Sequence, residues 1–98
     1  MNLSISYRHL DSSESVSKKI EEKVQHLKKY YQGAMNISWV CSVDGHDQHT
    51  SEVQVSVDNN QFHAHAVDSN LYATLDAAIA KLEKQMSKES EKKKRRIH

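Results

Sequence analysis

The sequence predicts an α+β fold of β-α-β-β-β-α order, on three observations. Four stretches alternate apolar and polar residues with the period of a strand that buries one face. Two stretches instead repeat apolar residues every three or four positions, as a helix with one buried stripe does. Turn-forming residues fall between them, at Gly33, Asp44-Gly45 and Asn59-Asn60. A four-stranded mixed sheet with two helices packed on one face buries every apolar stripe at once.

The elements follow in order. Leu3, Ile5 and Tyr7 alternate with Asn2, Ser4, Ser6 and Arg8 and define a first strand. Asp11, Ser12 and Ser13 are good N-cap types, and Val16, Ile20, Val24, Leu27 and Tyr31 follow at helical spacing, with an end expected near Gly33. Ile37, Trp39, Cys41 and Val43 form a second strand closed by Asp44-Gly45, and His46 to His49 reads as a polar loop. Val53, Val55 and Val57 mark a third strand, Asn59-Asn60 a two-residue hairpin turn, and Phe62, Ala64 and Ala66 the inward face of a fourth. Leu71, Leu75, Ile79, Leu82 and Met86 define the closing helix, for which Asp68 is the expected N-cap. The first crossover is expected to be right-handed and the remaining strand pairs antiparallel. Trp39 shares its face with Ile37 and Cys41 and belongs to the core, whereas Gln54, Ser56, Gln61, His63 and His65 fall on the outer face. That face lacks the aromatic platform of an RNA-recognition-motif sheet.

Length and composition bound the function. Ninety-eight residues allow one domain, too small for a deep catalytic cleft with a lid. No proline and two glycines argue against a linker, a repeat array or a loop-rich secreted scaffold. The single cysteine, Cys41, excludes an internal disulfide and suits a reducing compartment. The opening residues lack the basic and apolar regions of a signal peptide, and no run approaches a membrane span. A cytoplasmic protein with no membrane partner is expected.

The net charge of +1 conceals segregation. Residues 1–80 hold six basic and ten acidic residues, net −4, and residues 81–98 hold eight basic and three acidic, net +5. Lys81, Lys84, Lys88 and Lys92 form a stripe roughly 135° round the closing helix from its apolar one. One face can therefore dock on the sheet while another meets a polyanion. Lys81, Lys84 and Lys88 can neutralise successive phosphates, and Lys92 continues the line. Lys18, Lys19, Lys23, Lys28 and Lys29 lie around several sides of the first helix, so only some share a direction, and Lys23 and Lys28 are the candidates taken forward. Arg8, at the end of the first strand, can grip a phosphate with two hydrogen bonds or pair with a neighbouring acid. A solvated basic face is the alternative for all of them. The domain is expected to span residues 1–90, with 91–98 as a flexible basic tail.

The whole chain resembles the short ribosome hibernation promoting factors and the closely similar ribosome-associated inhibitor YfiA. The resemblance rests on Phe62-His-Ala64, on the strand-to-helix junction with Asp68, Leu71-Tyr72-Ala73, Leu75 and Asp76, and on Ile79, Lys81-Leu82 and Lys84-Gln85. It implies a domain akin to double-stranded-RNA-binding domains that binds the small ribosomal subunit and its ribosomal RNA. It also implies a place in the messenger and transfer RNA channel near the decoding centre, and inhibition of translation by occupancy in stationary phase or stress. A basic ending favours the hibernation-promoting type, which pairs ribosomes into inactive dimers together with ribosome modulation factor, over the purely inhibitory type with its acidic-ended tail. Family members often carry basic residues where this chain has His26, Ser42, His46 and His49. Binding through the loop is therefore expected to be weaker here, or to depend on pH through the histidines.

Tyr72 and Asp76, one turn apart, are expected to hold each other and the adjoining backbone, with RNA contact as the alternative role for Asp76. His63 with His65, and His46 with His49, could chelate an adventitious transition-metal ion. A closed structural zinc site needs four ligands, so no physiological metal or other cofactor is expected. No phosphate loop and no nucleophile with a nearby base is present, so neither catalysis nor a small-molecule substrate is expected. Two other functions remain open on the residues alone: a generic double-stranded-RNA binder, and a protein-interaction module using the acidic middle.

Overall fold

The computed structural model describes residues 1–95, with side chains through Lys92. The order is β1 (Asn2–Arg8), α1 (Glu14–Val24) continued by a 3₁₀ segment (Gln25–Lys29), β2 (Met35–Val43), β3 (His49–Val57), β4 (Asn60–Asp68) and α2 (Leu71–Arg95). The strands form one sheet in the order β1-β2-β3-β4. β1 and β2 are parallel, with Ile5 opposite Trp39, and the other two pairs are antiparallel. The α+β fold and mixed sheet expected from the sequence are therefore present.

Alternation in the sequence becomes alternation in burial. Ile37, Trp39, Cys41, Val53, Val55, Phe62, Ala64 and Ala66 all point inward, where they meet Val16, Ile20, Val24 and Leu27 from the first helical segment and Leu75, Ala78, Ile79, Leu82 and Met86 from α2. All belong to one core cluster, so both helices lie on the same face of the sheet. Truncating a fully buried residue such as Leu82 to alanine should cost about 2–5 kcal/mol. α1 begins where Ser13, in extended conformation, accepts a hydrogen bond from the Val16 amide at 3.3 Å. Tyr31, beyond the 3₁₀ segment, turns into the core against Phe62, with ring centroids 5.8 Å apart.

Two local expectations change. The β3–β4 turn is Asp58-Asn59, one residue earlier than expected: both have positive φ (50° and 63°), and Val57 pairs with Asn60. Two adjacent left-handed residues make the tight hairpin whose twist matches the strands, and Asp and Asn tolerate that conformation. The cap of α2 is Asn70 rather than Asp68. The Tyr72 amide donates to Asn70 Oδ1 at 2.9 Å, and the Thr74 amide reaches the Asn70 carbonyl at 3.4 Å. Asp68 still pairs with His49 as the last residue of β4, so its carboxylate serves the turn instead, accepting from the Asn70 amide at 3.0 Å. α2 runs across residue 90 to Arg95, and residues 96–98 of the expected tail lie outside the described residues.

Buried polar groups tie the layers together. Trp39 Nε1–H donates to Ser51 Oγ (3.1 Å), the Ser51 hydroxyl to Thr74 Oγ1 (2.8 Å), and the Thr74 hydroxyl to the Leu71 carbonyl (2.6 Å). The donation to Leu71 uses the only proton Thr74 Oγ1 has, which makes Ser51 the donor to it. The relay runs from β2 through β3 into the first turn of α2 and fixes how that helix enters.

Candidate nucleic-acid interface

The two flanks of α2 have opposite electrostatic character. Viewed down a helix at about 100° per residue, Lys81, Lys84, Lys88 and Lys92 fall on the flank away from α1 and on the outer side, and all four are exposed. Successive lysines four residues apart rise by about 6 Å, so the row forms a ridge of positive charge. Lys81 also works locally: its Nζ donates to the His65 carbonyl at 2.5 Å, while Gln85 Nε2 donates to the His63 carbonyl at 2.8 Å. These two side chains cover carbonyls on the outer edge of β4.

The flank facing α1 is a seam of paired groups. Asp76 forms an ion pair with Lys23, Glu83 approaches Lys29 at 3.9 Å, and Tyr72 Oη lies 3.0 Å from Ser15 Oγ. The expected contact between Tyr72 and Asp76 is replaced by these contacts across the helix pair. Positions 72 and 76 share the flank turned toward α1, and the partners that α1 supplies there capture both side chains. Ser90 Oγ extends the seam by donating to the Tyr30 carbonyl at 3.2 Å. With Asp76 and Glu83 interposed, the α2 ridge does not merge with the lysines of α1 into one positive surface.

The other candidates lie apart. Lys28 is exposed on the 3₁₀ segment, beside the groove between α1 and β1. Arg8 stands at the end of β1 on the outer face of the sheet, in a row with Ser42, Thr50 and Val67. Of the seven basic candidates, the structure brings Lys81, Lys84, Lys88 and Lys92 together and leaves Lys23, Lys28 and Arg8 elsewhere.

The histidine pairs also separate. His63 and His65 are exposed on the sheet's outer face, with His65 Nε2 3.9 Å from Glu52 across the strands. In the β2–β3 turn, Asp44 Oδ1 accepts from the amides of His46 (2.8 Å) and Gln48 (3.0 Å), which holds its carboxyl below the usual range, with the nearby His46 and His49 adding to the effect. His49 Nδ1 instead meets the Ser69 carbonyl at 3.1 Å. Among the described residues no three His, Cys, Asp or Glu side chains come together as a metal site. No helix among them is long and apolar enough to cross a membrane.

Sequence reasoning missed Ser15, Ser51, Thr74 and Glu83, and named Gln85 only within the family resemblance, without its contact to β4. Gln85 carried a signal, since it sits one residue beyond Lys84 in the run that marks the family resemblance. The serines carried none, because their partners lie on other elements.

Comparison with known proteins places this geometry. Residues 3–94 match the family described as sigma 54 modulation protein / S30EA ribosomal protein. The ribosome hibernation promoting factor of Escherichia coli K12 is 28% identical over 94 residues, covering 96% of this chain and 98% of that protein. That of Acidithiobacillus ferridurans is 27% identical over 78 residues, covering 78% of this chain and all of that one. The crystal structure of the Thermus thermophilus Protein Y N-terminal domain superposes with a TM-score of 0.84 at 27% identity, over 90% of this chain and 98% of that one. A ribosomal subunit interface protein from Coxiella burnetii shares the fold, with a TM-score of 0.77 at 22% identity. Since the match runs through the four strands and into the last turn of α2, the chain belongs to the sigma 54 modulation protein / S30EA ribosomal protein family.

Proposed function

We propose that the chain is a ribosome hibernation factor that binds the small ribosomal subunit through its ribosomal RNA, in the messenger and transfer RNA channel near the decoding centre. It inhibits translation there by occupancy, without catalysis, in the cytoplasm of stationary or stressed cells. It favours inactive ribosome dimers together with ribosome modulation factor.

The observation that carries the reading is the lysine ridge of α2 on a domain matched over nearly its full length by ribosome hibernation promoting factors. A rigid helix that presents cations about one turn apart suits a phosphate backbone, where contacts set position and strength rather than sequence. Lys84, Lys88 and Lys92 are the main contacts. Lys81 joins them from the β4 edge, Lys28 and Arg8 act at the periphery, and Lys23 acts through its partnership with Asp76. Asp68, Tyr72 and Asp76 hold the start of α2 in place.

Sucrose-gradient sedimentation of stationary-phase extract tests this. At low salt the protein should travel with small subunits and ribosomes, and it should leave them at high salt. Protein that stays at the top of the gradient at low salt contradicts ribosome binding. A family of ribosome peaks without dimers, in the presence of ribosome modulation factor, contradicts the dimer-promoting role and leaves the purely inhibitory one.

A further inference from the structure

The outer face of the sheet carries a hollow of about 260 Å³ at its β4 edge, lined by Gln54, Val55, Ser56, Gln61, Phe62 and His63. Two adjoining cross-strand pairs build it, Gln54 opposite His63 and Ser56 opposite Gln61. Strand alternation turns these four side chains outward, while Val55 and Phe62 between them point into the core. Ser56 is the smallest of the four, so the depression lies over it and the longer side chains form the rim. Among the described residues none of the four side chains has a hydrogen-bond partner, which leaves two amides, an imidazole and a hydroxyl free to serve a ligand. Further across the same face, by contrast, Asn2 and Asn36 spend their amides on each other at 3.0 Å.

The lysine ridge of α2 runs past this hollow. Lys81 Nζ donates to the His65 carbonyl and Gln85 Nε2 to the His63 carbonyl, so four residues of helix advance beside two of strand. The lengths agree, about 6 Å along a helix and about 6.6 Å along a strand. In that register Lys84 stands near the level of His63, and the turn that holds Lys88 near the level of Gln61. No acid lines the hollow. Glu52 belongs to the next cross-strand pair, opposite His65, and Asp58 to the turn beyond Ser56. On α2, Glu89 lies toward Tyr31, and Glu91 follows Lys88 by three residues.

We propose that the hollow takes one unpaired nucleobase of the RNA whose phosphates lie on Lys84 and Lys88, an inference that rests on the RNA-binding reading of that ridge. The RNA strand meets the lysines with its backbone and turns a base over the β4 edge onto the outer face. His63 supplies a flat ring for the base to stack on, and the amides of Gln54 and Gln61 each offer a donor and an acceptor to its edge. Ser56 leaves the room that a larger residue would fill. The volume is below the roughly 300–1,000 Å³ of most small-molecule sites, and the rim is exposed, which suits a flat group laid in from the surface. A protein partner fits less well, because the rim offers no apolar side chain to bury. The ridge positions the strand and the hollow reads it.

The probes are a heptaadenylate RNA, chosen because the adenine edge matches a glutamine amide, and an abasic ribose-phosphate heptamer with the same number of phosphates. Binding is read by fluorescence anisotropy, and its place by the NMR signals of the glutamine side-chain amides. Heptaadenylate should bind about tenfold more tightly than the abasic oligomer and shift the side-chain amides of Gln54 and Gln61, which the abasic oligomer should leave in place. Gln61→Ala with His63→Ala, both at exposed positions, should remove that preference without changing the salt dependence. Lys84→Gln with Lys88→Gln should instead weaken both oligomers alike and flatten the salt dependence. Equal affinity for the two oligomers, or an unaltered preference in the Gln61→Ala, His63→Ala variant, overturns the hollow and leaves the ridge standing. No effect of Lys84→Gln with Lys88→Gln on either oligomer overturns both. Absence of binding at millimolar RNA also overturns the hollow, and sedimentation of the parent chain with small subunits then decides the ribosome reading separately.

Discussion

The hydroxyl of Ser51 lies 2.8 Å from that of Thr74, deep between the sheet and α2, and both residues are fully buried. Ser51 accepts from the indole of Trp39 and donates to Thr74, which passes its own proton to the Leu71 carbonyl, so each member of the relay is satisfied. Ser51→Ala orphans the Trp39 N–H in a dry site and should cost about 1–3 kcal/mol. Urea unfolding followed by the fluorescence of the single tryptophan measures this directly. A loss below a few tenths of a kcal/mol would show that the relay contributes nothing to stability.

Cys41 gives a pH dependence of known sign. Burial pushes its thiol up to about 11, with a smaller opposing effect from the Ser51 hydroxyl. The folded chain therefore keeps its proton where the unfolded chain has lost it. Stability attributable to Cys41 is complete below pH 9 and declines as pH rises from about 9 to 11, at up to about 1.4 kcal/mol per pH unit. Comparing unfolding of the parent with Cys41→Ala across that window isolates the contribution, since the variant should lack this component of the slope.

The pair formed by Lys23 and Asp76 couples α1 to α2 and also restrains a lysine otherwise available to RNA. Asp76 is largely exposed, so Asp76→Ala should lower stability by only about 0.2–1 kcal/mol. It should strengthen ribosome binding at the same time, because Lys23 is released and a negative charge is removed. A double-mutant cycle with Lys23→Gln, read both by unfolding and by binding, separates the two effects.

The Asp58-Asn59 turn should be sensitive to residue type. Asn59→Ala places a Cβ without a local hydrogen-bonding group at φ 63° and should cost about 1–2 kcal/mol. Thermal unfolding checks it, and Asn59→Gly should restore or exceed the stability of the parent.

The alternation of Val53, Val55 and Val57 and the spacing of Leu75, Ile79, Leu82 and Met86 made the sheet and closing helix legible, because burial on one face leaves a periodic trace. The hairpin was displaced by one residue because Asp58, Asn59 and Asn60 all suit a turn, and only register against Met35 and its neighbours selects between them. Asp68 lost the cap for a similar reason: pairing with His49 keeps it in β4, and with the helix beginning at Leu71 the flanking position falls to Asn70. The lysine ridge was legible from its spacing along α2. The acidic seam was not, since the partnerships of Asp76 with Lys23 and of Tyr72 with Ser15 join residues more than fifty positions apart. The sequence therefore could not show that Asp76 and Glu83 stand between the ridge and the α1 lysines.

The salt dependence of binding to purified small ribosomal subunits tests the central claim most directly. For the parent chain, log affinity should fall linearly with log salt, and Lys84→Gln with Lys88→Gln should reduce that slope by about two. Conservative removal of two charges at exposed positions leaves the fold intact, so unfolding should be unaltered. An affinity and slope identical to those of the parent would contradict the assignment of the α2 ridge as the RNA-binding face.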